Sequence, residues 1–336
     1  MNEEQIRNTL EKNYNINIKN IEKIKNVYRI NTAHGDYCLK VVKYEIKHFL
    51  FILGAIKHLQ NNGFNSTPQI IKNVDGMEYL KLENNNAFLT PWINARQSDY
   101  DKLYDVTLAT SKLAEMHIKS QKFVLTENMK PRIGWYKWID NFITKNDEIL
   151  DFKNRIDKKY KKSKFDLLYL KNMESELERA DKSILDLSLS NYFEKMQSEI
   201  EKHGFCHHDY AYHNVLIGEN DNVNIIDFDF CILDSHLHDL SSLIIRVMKN
   251  GKWDIRNAVH ILDVYNATND VDRLDIPIMA AFMEYPQEYW QIGIQYYWEN
   301  QPWKEEFFLK KLNKIYEDEY DRQDFLEEFS ILKYKG

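Results

Sequence analysis

The residues from Cys206 to Phe230 read CHHDYAYHNVLIGENDNVNIIDFDF, and they constrain the fold more than any other stretch of the chain. A polar loop carrying His207, Asp209 and Asn214 runs into the apolar triplet Val215 to Ile217. Gly218 to Asn222 reads as a tight turn, and Val223 to Ile226 as a second short strand that delivers Asp227 at its end. A hairpin of this kind folds back on itself, so Asn214 and Asp227 are expected close in space. Asp and Asn also serve as plain turn and cap residues. The ordered combination of loop, hairpin and second acidic pair favours a chemical role over that bland one.

The residue types suit one chemistry. Moving a phosphoryl group from ATP needs Mg²⁺, which prefers oxygen ligands: one or two carboxylates beside phosphate and water. It also needs a carboxylate to orient the acceptor hydroxyl and a cation to hold the phosphates. In the pattern H-x-D-x-x-x-x-N, Asp209 is the candidate base, and Asn214 offers an amide oxygen to the metal, as Asp227 offers a carboxylate. Lys40, inside the strand-like run YCLKVV, is the candidate phosphate clamp.

The surroundings fit. Ile16 to Ile24, Val27 to Thr32 and Tyr37 to Val42 read as strands, with a turn at His34-Gly35-Asp36. Glu45 to Asn61 has apolar residues at helical spacing and ends at Asn62-Gly63. A strand pair over Gln69 to Lys72 and Met77 to Leu82, turning at Asp75-Gly76, and an extended run over Ala87 to Ile93 complete a β-rich region. From about residue 97 the texture is helical: 102–117, 135–157, 165–187, 192–203 and 238–329. This order predicts an α+β protein of two lobes, residues 1–93 and 94–336, joined near Pro91 to Asn94 with a ligand cleft between them.

These motifs resemble the catalytic loop and metal-binding segment of the protein kinase-like superfamily, and more closely its aminoglycoside phosphotransferase and choline kinase branch. With HHDYAYHNVLI, IIDFDFCILDSHLHDLSSLIIR, GFNSTPQII and KWDIRNAVHILDVY, the chain is similar to the spore coat protein S (CotS) family over roughly residues 15 to 330. The resemblance implies a bilobal kinase-like fold, ATP and Mg²⁺ as cofactors, and a small-molecule hydroxyl as acceptor. It implies Asp209 as catalytic base, Asn214 and Asp227 as metal ligands, and Lys40 on the ATP phosphates. His207 and Asp239 would brace the catalytic loop, and Thr90 to Trp92 would form the hinge whose backbone meets adenine. It also implies coat proteins as partners and deposition in the spore coat after synthesis in the cytosol. Three departures stand out. The first hairpin turn, near Lys25-Asn26, lacks glycine. Asp229 replaces the glycine of the Asp-Phe-Gly motif and could touch a second metal. Glu45 is the only acid in its helix available to pair with Lys40. A catalytically weak scaffold of the coat is therefore the alternative, and a protein kinase is disfavoured by the short segment between Asp227 and the helix around Asp239.

Composition narrows the remaining classes. The formal net charge is −7 over 336 residues, with no basic stripe of the kind nucleic-acid binders carry. The longest apolar run, Phe49 to Ile56, is too short for a bilayer, and the start shows no secretory signal. Cys38, Cys206 and Cys231 form no CxxC pair, so they read as core residues in a reducing compartment. The aromatic cluster Tyr285, Tyr289, Trp290, Tyr296, Tyr297, Trp298 and Trp303 could cage a quaternary amine, but its spacing favours helix packing. The basic run KKYKKSK and the acidic stretch Glu317 to Asp324 read as solvated surface.

Overall fold

Asn2 starts the first helix, Glu3–Tyr14, with a capping box: its side chain accepts from the Glu4 N–H, and the Gln5 side chain accepts from its own N–H. The computed structural model describes residues 2–334. After this helix come β1 (Ile18–Ile24), β2 (Val27–Thr32), β3 (Gly35–Val42), helix Ile46–Asn61, β4 (Leu80–Leu82) and β5 (Asn85–Pro91). The strands form one antiparallel sheet in the order β1-β2-β3-β5-β4. Side chains alternate across a strand, and β5 uses both faces. Leu89 packs into the cluster of Ile6, Leu10 and Leu39 under the first helix. Its neighbour Phe88 packs against Phe49 of helix Ile46–Asn61.

One expected strand pair is not made. Gln69 to Lys72 contributes only a bridge from Ile71 to Leu89, and Leu80–Leu82 pairs with β5 instead. The Asn73 side chain accepts from the N–H groups of Asp75 and Met77, so this local turn takes the donors a ladder would use.

β6 (Arg96–Gln97), β7 (Val215–Ile217) and β8 (Val223–Ile225) form a second small sheet. The rest is helical: Leu103–Ser120, Trp138–Asp157, Lys164–Lys171, Met173–Leu189, Tyr192–Lys202, His236–Met248, Ile255–Asn266, Asp275–Glu284, Gln287–Gly293, Glu305–Glu317 and Glu319–Ser330. The α+β, kinase-like architecture expected from the sequence is the one observed: a small antiparallel sheet with helices, then a mainly helical region. The helix expected over 165–187 is two helices, because Asn172 (φ −112°, ψ 6°) leaves the helical region. One apolar core runs from Phe49 and Phe88 through Phe205, Ile225 and Leu240 to Phe329. A separate cluster of Phe152, Tyr169, Tyr289, Tyr297 and Phe308 holds the outer helices together. The acidic stretch is less solvated than its composition suggests. Asp318 is buried, accepting from the N–H groups of Asn250 and Gly251 and from Trp253 Nε1. Among the described residues no helix is long and apolar enough to cross a membrane.

Candidate active site

The hairpin read from the sequence is present, and it sets the site. β7 and β8 pair with Val215 opposite Ile225. Asn220 and Asp221 take left-handed φ values in the turn, and the Gly218 N–H donates to the Asn222 carbonyl. At the open end the Ile226 N–H donates to the Asn214 carbonyl at 3.0 Å, which places Asp227 beside Asn214. Asp227 itself has φ 67°, a left-handed geometry that costs a non-glycine residue energy and turns the chain sharply.

Lys40 crosses to this point from the other sheet. Backbone register places it opposite Phe88, and its ammonium lies 2.5 Å from Asp227 Oδ1 and 2.7 Å from Asp229 Oδ1. Burial opposes charge on all three groups. For Lys40, the charges of Asp227 and then Asp229 outweigh burial and raise the ammonium above its ordinary value. For Asp227, burial is outweighed by Lys40, and the carboxyl lies below its ordinary value. Asp229 goes the other way. Burial pushes it up, the Coulombic pull of Lys40 opposes this, and Asp227 adds like-charge repulsion. Glu45 is not the lysine's partner. It stands exposed at the helix start and pairs with Lys130 at 3.2 Å, while Asp229 takes the position beside Lys40.

The loop is braced from beneath. Asp239 is fully buried and accepts from the N–H groups of His207 (2.6 Å) and His208 (2.8 Å). Burial works against its charge, but a hydrogen bond from His117 and the nearby His238 ring, 3.6 Å away, hold the carboxyl well below the ordinary range. His207 is also buried. Its Nε2 sits 2.9 Å from the Ile226 carbonyl and so donates to it, tying the loop to the residue before Asp227. His117, Cys206 and Asp239 come together in the same region. Each is already hydrogen-bonded within the protein: His117 to Tyr265 and Asp239, Cys206 to the Ser235 carbonyl.

Asp209 is partnered on both oxygens. The Asn214 side chain donates to Oδ2 at 3.2 Å and to the Asp209 carbonyl at 2.9 Å. Arg246 Nη2 donates to Oδ1 at 2.9 Å. Sequence reasoning gave Arg246 no role, although a signal was available. It lies two helical turns after Asp239, on the same helix face.

Two cavities flank these groups. The first, of about 360 Å³, lies between the sheets and is lined by Lys40, Thr90, Trp92, Asn214, Asp227 and Asp229 among others. The glycine-free turn at Lys25-Asn26 also borders it, with Lys25 itself at φ 51°. The Trp92 N–H donates to the Asp36 carbonyl, and Pro91 has no N–H. Along Pro91 to Trp92, therefore, a purine would meet carbonyls and side chains. The second cavity, of about 400 Å³, is lined by Trp138, Phe142, Lys145, Arg246 and Tyr285 among others, and Arg246 links it to Asp209.

The set Asp227, Asp229 and Asn214 is all oxygen and rich in carboxylate, which suits Mg²⁺. Two half-buried carboxylates share one ammonium here, and a cation would offset both the burial and the Asp227 repulsion that raise Asp229.

The fold is of the kinase-like class, shared with solved small-molecule phosphotransferases. An aminoglycoside phosphotransferase from Alicyclobacillus acidocaldarius superposes with a TM-score of 0.81 at 18% identity, over 95% of this chain and 93% of that one. Spectinomycin phosphotransferase APH(9)-Ia, solved with ADP and spectinomycin, gives 0.72 at 18% identity, over 99% and 98% of the two chains. Amicoumacin kinase hAmiN, solved with AMP-PNP, Ca²⁺ and Ami, gives 0.68 at 15% identity, over 98% and 94%. Within that class, the family model described as "Spore coat putative kinase YutH" matches residues 7–329. The chain belongs to that family of spore coat kinase-like proteins, in agreement with the resemblance read from its motifs.

Proposed function

We propose that this protein transfers the γ-phosphoryl group of ATP to a hydroxyl of a small molecule. The observation that carries this reading is the convergence of Lys40, Asp227, Asp229 and Asn214 from two sheets onto one open cleft, with Asp209 alongside. Residues 1–93 would bind the nucleotide, with Thr90 to Trp92 as hinge, and residues 94–336 would hold the acceptor. Asn214 and Asp227, aided by Asp229, would hold Mg²⁺, which when bound neutralises charge building up on the phosphate oxygens. Lys40 would hold the phosphates. Asp209 would orient the acceptor hydroxyl and take its proton as the oxygen bonds to the γ-phosphorus and the bond to the β-phosphate oxygen breaks, releasing ADP. His207 and Asp239 would keep Asp209 in place. Most of the rate would come from positioning and charge neutralisation.

A small acceptor suits the geometry better than a peptide. After Asp227 the chain makes one turn, Phe228–Phe230, and enters a helix at His236, which leaves little platform.

A second reading, a kinase-fold scaffold of the spore coat, has one observation in its favour. The site satisfies its own charges, Lys40 with two carboxylates and Asp209 with Arg246. Melting temperature with and without Mg·ATP separates the two. A ligand that binds only the folded state at a hundredfold excess over Kd stabilises it by about 2.7 kcal/mol. A Mg-dependent rise in wild type that is lost in Asp227→Ala is the expected result. No rise at millimolar Mg·ATP leaves the scaffold reading standing, with the coat as its site of action and coat proteins as its partners.

A further inference from the structure

The cavity on the far side of Asp209 carries information about the acceptor that no motif contains. Three cations line it: Lys145, Arg246 and Lys249. Two acids line it with them, and neither is free. Glu288 pairs with Lys249 at 3.2 Å. Asp234 is buried and turned into the wall, accepting from Trp138 Nε1 and the Ser235 N–H, and burial pushes its carboxyl up to about 6.

Lys145 is the unusual member. Its ammonium lies over three rings, 5.4 Å from Phe142, 5.5 Å from Tyr285 and 4.8 Å from Trp290. Gln287 Oε1 accepts from it at 2.7 Å. Among the described residues no carboxylate lies within ion-pair distance of it. Glu148, the acid that acts on it from further off, accepts from Trp290 Nε1. Burial draws this ammonium down to about 8. A partly desolvated cation whose nearest acid lies beyond ion-pair reach is costly, and an anionic ligand is what lowers that cost. The aromatic site that a quaternary amine would want is already filled by the protein's own lysine, so an incoming cation meets repulsion there. His208 and His238, which stack on each other at 4.2 Å, also border the cavity, and burial drives His208 down to about 3, so its ring is neutral and adds no charge.

We infer that the acceptor is a hydroxyl compound bearing a carboxylate or phosphate group, held by Lys145 with Arg246 while its hydroxyl is presented to Asp209. This rests on the phosphotransferase reading above and names its substrate class. Arg246 ties the two together, since its guanidinium contacts Asp209 and borders the cavity.

The experiment uses the full chain with saturating Mg·ADP, so that added anions cannot report on the nucleotide cleft. Four probes are compared by melting shift, and with Mg·ATP by ADP release: D-gluconate, glycerol 3-phosphate, choline and spectinomycin. The expected result is a rise in melting temperature with one or both anions and none with the cations. Gluconate alone would identify a carboxylate, and glycerol 3-phosphate alone a phosphate. Lys145→Gln should weaken the anion by about tenfold or more, the scale of a lost charge-assisted hydrogen bond. The loss should fall in Kd or KM with kcat little changed, and Lys145→Arg should restore part of it. Lys145→Gln should keep the Mg·ATP rise, which shows that it folds. A shift with choline or spectinomycin, no shift with either anion, or an unchanged affinity in Lys145→Gln overturns the inference. If anions bind but Mg·ATP does not, the anion site stands and the phosphotransferase reading falls.

Discussion

The two cavities beside Asp209 are similar in size, about 360 and 400 Å³, and opposite in charge logic. In the cleft, one lysine is shared by two carboxylates. In the other cavity, one lysine faces three rings and has no carboxylate. They also differ in how the chain builds them. The groups that converge on the ion pair of the cleft come from one strand residue, Lys40, and one hairpin, 214–229. The second cavity takes side chains from faces of four separate helices, Trp138–Asp157, His236–Met248, Asp275–Glu284 and Gln287–Gly293. A site of the first kind has a local signature. A site of the second kind has none, because the spacing within each helix marks only a helix face and no motif tells which faces meet.

The sharpest way to break this comparison is at the residue between the two cavities. Asp209→Asn should lower phosphoryl transfer by about a hundredfold or more, the range for a lost general base, while leaving the Mg·ATP melting shift intact. A variant that keeps full transfer would remove Asp209 from the mechanism. Next in size is the brace that serves both sides. Asp239→Asn removes a buried charge that receives two backbone N–H groups and a hydrogen bond from His117, with His238 close by, and should cost about 3 kcal/mol in denaturant unfolding. The pH dependence has a definite sign. The folded carboxyl is depressed, so its contribution is complete above the unfolded value near 4 and is lost as pH falls through the folded value. Wild type should lose more stability between about pH 5 and 2 than Asp239→Asn, and equal slopes would contradict the assignment.

Gly293→Ala tests the second cavity by itself. An added Cβ would lie 2.5 Å from the Tyr169 hydroxyl and 2.6 Å from the Phe152 ring, both in the outer aromatic cluster. Overpacking of this kind costs about 1–3 kcal/mol. It should disturb the helix that supplies Gln287 and Glu288 and raise the acceptor KM, with the nucleotide shift unchanged. Equal losses on both sides would mean that the two cavities are mechanically coupled. The smallest effect is expected at Glu45→Gln. That residue's pair with Lys130 is exposed on both partners, so stability should change by less than about 0.5 kcal/mol and transfer not at all. A large loss of transfer would restore Glu45 as a partner of Lys40.

Much of the cleft was legible because short-range rules govern it. The turn residues Gly218 to Asn222 force a hairpin, and the hairpin places Asn214 next to Asp227. Alternation along YCLKVV marked a strand but left Lys40 without a partner. The helix that follows β3 contains no acid after Glu45, and the lysine turned instead to Asp229. The strand expected at Gln69 to Lys72 was lost to an asparagine whose side chain captured two backbone donors. The aromatic cluster was read as packing, and Tyr289 and Tyr297 are buried as that reading requires. Tyr285 and Trp290, from the same cluster, pack as well and also surround Lys145.

The amino-acid order alone thus determined the α+β division, the catalytic-loop hairpin and the family, since each rests on hydrophobic period, turn chemistry or the spacing of a few polar residues. Only the tertiary structure decided which acids meet Lys40, that Arg246 holds Asp209, and that Lys145 is left among rings with no carboxylate in ion-pair reach. Those are contacts between residues tens to nearly two hundred positions apart. Electrostatic partnership depends on distance and burial in space, and a linear spacing carries neither.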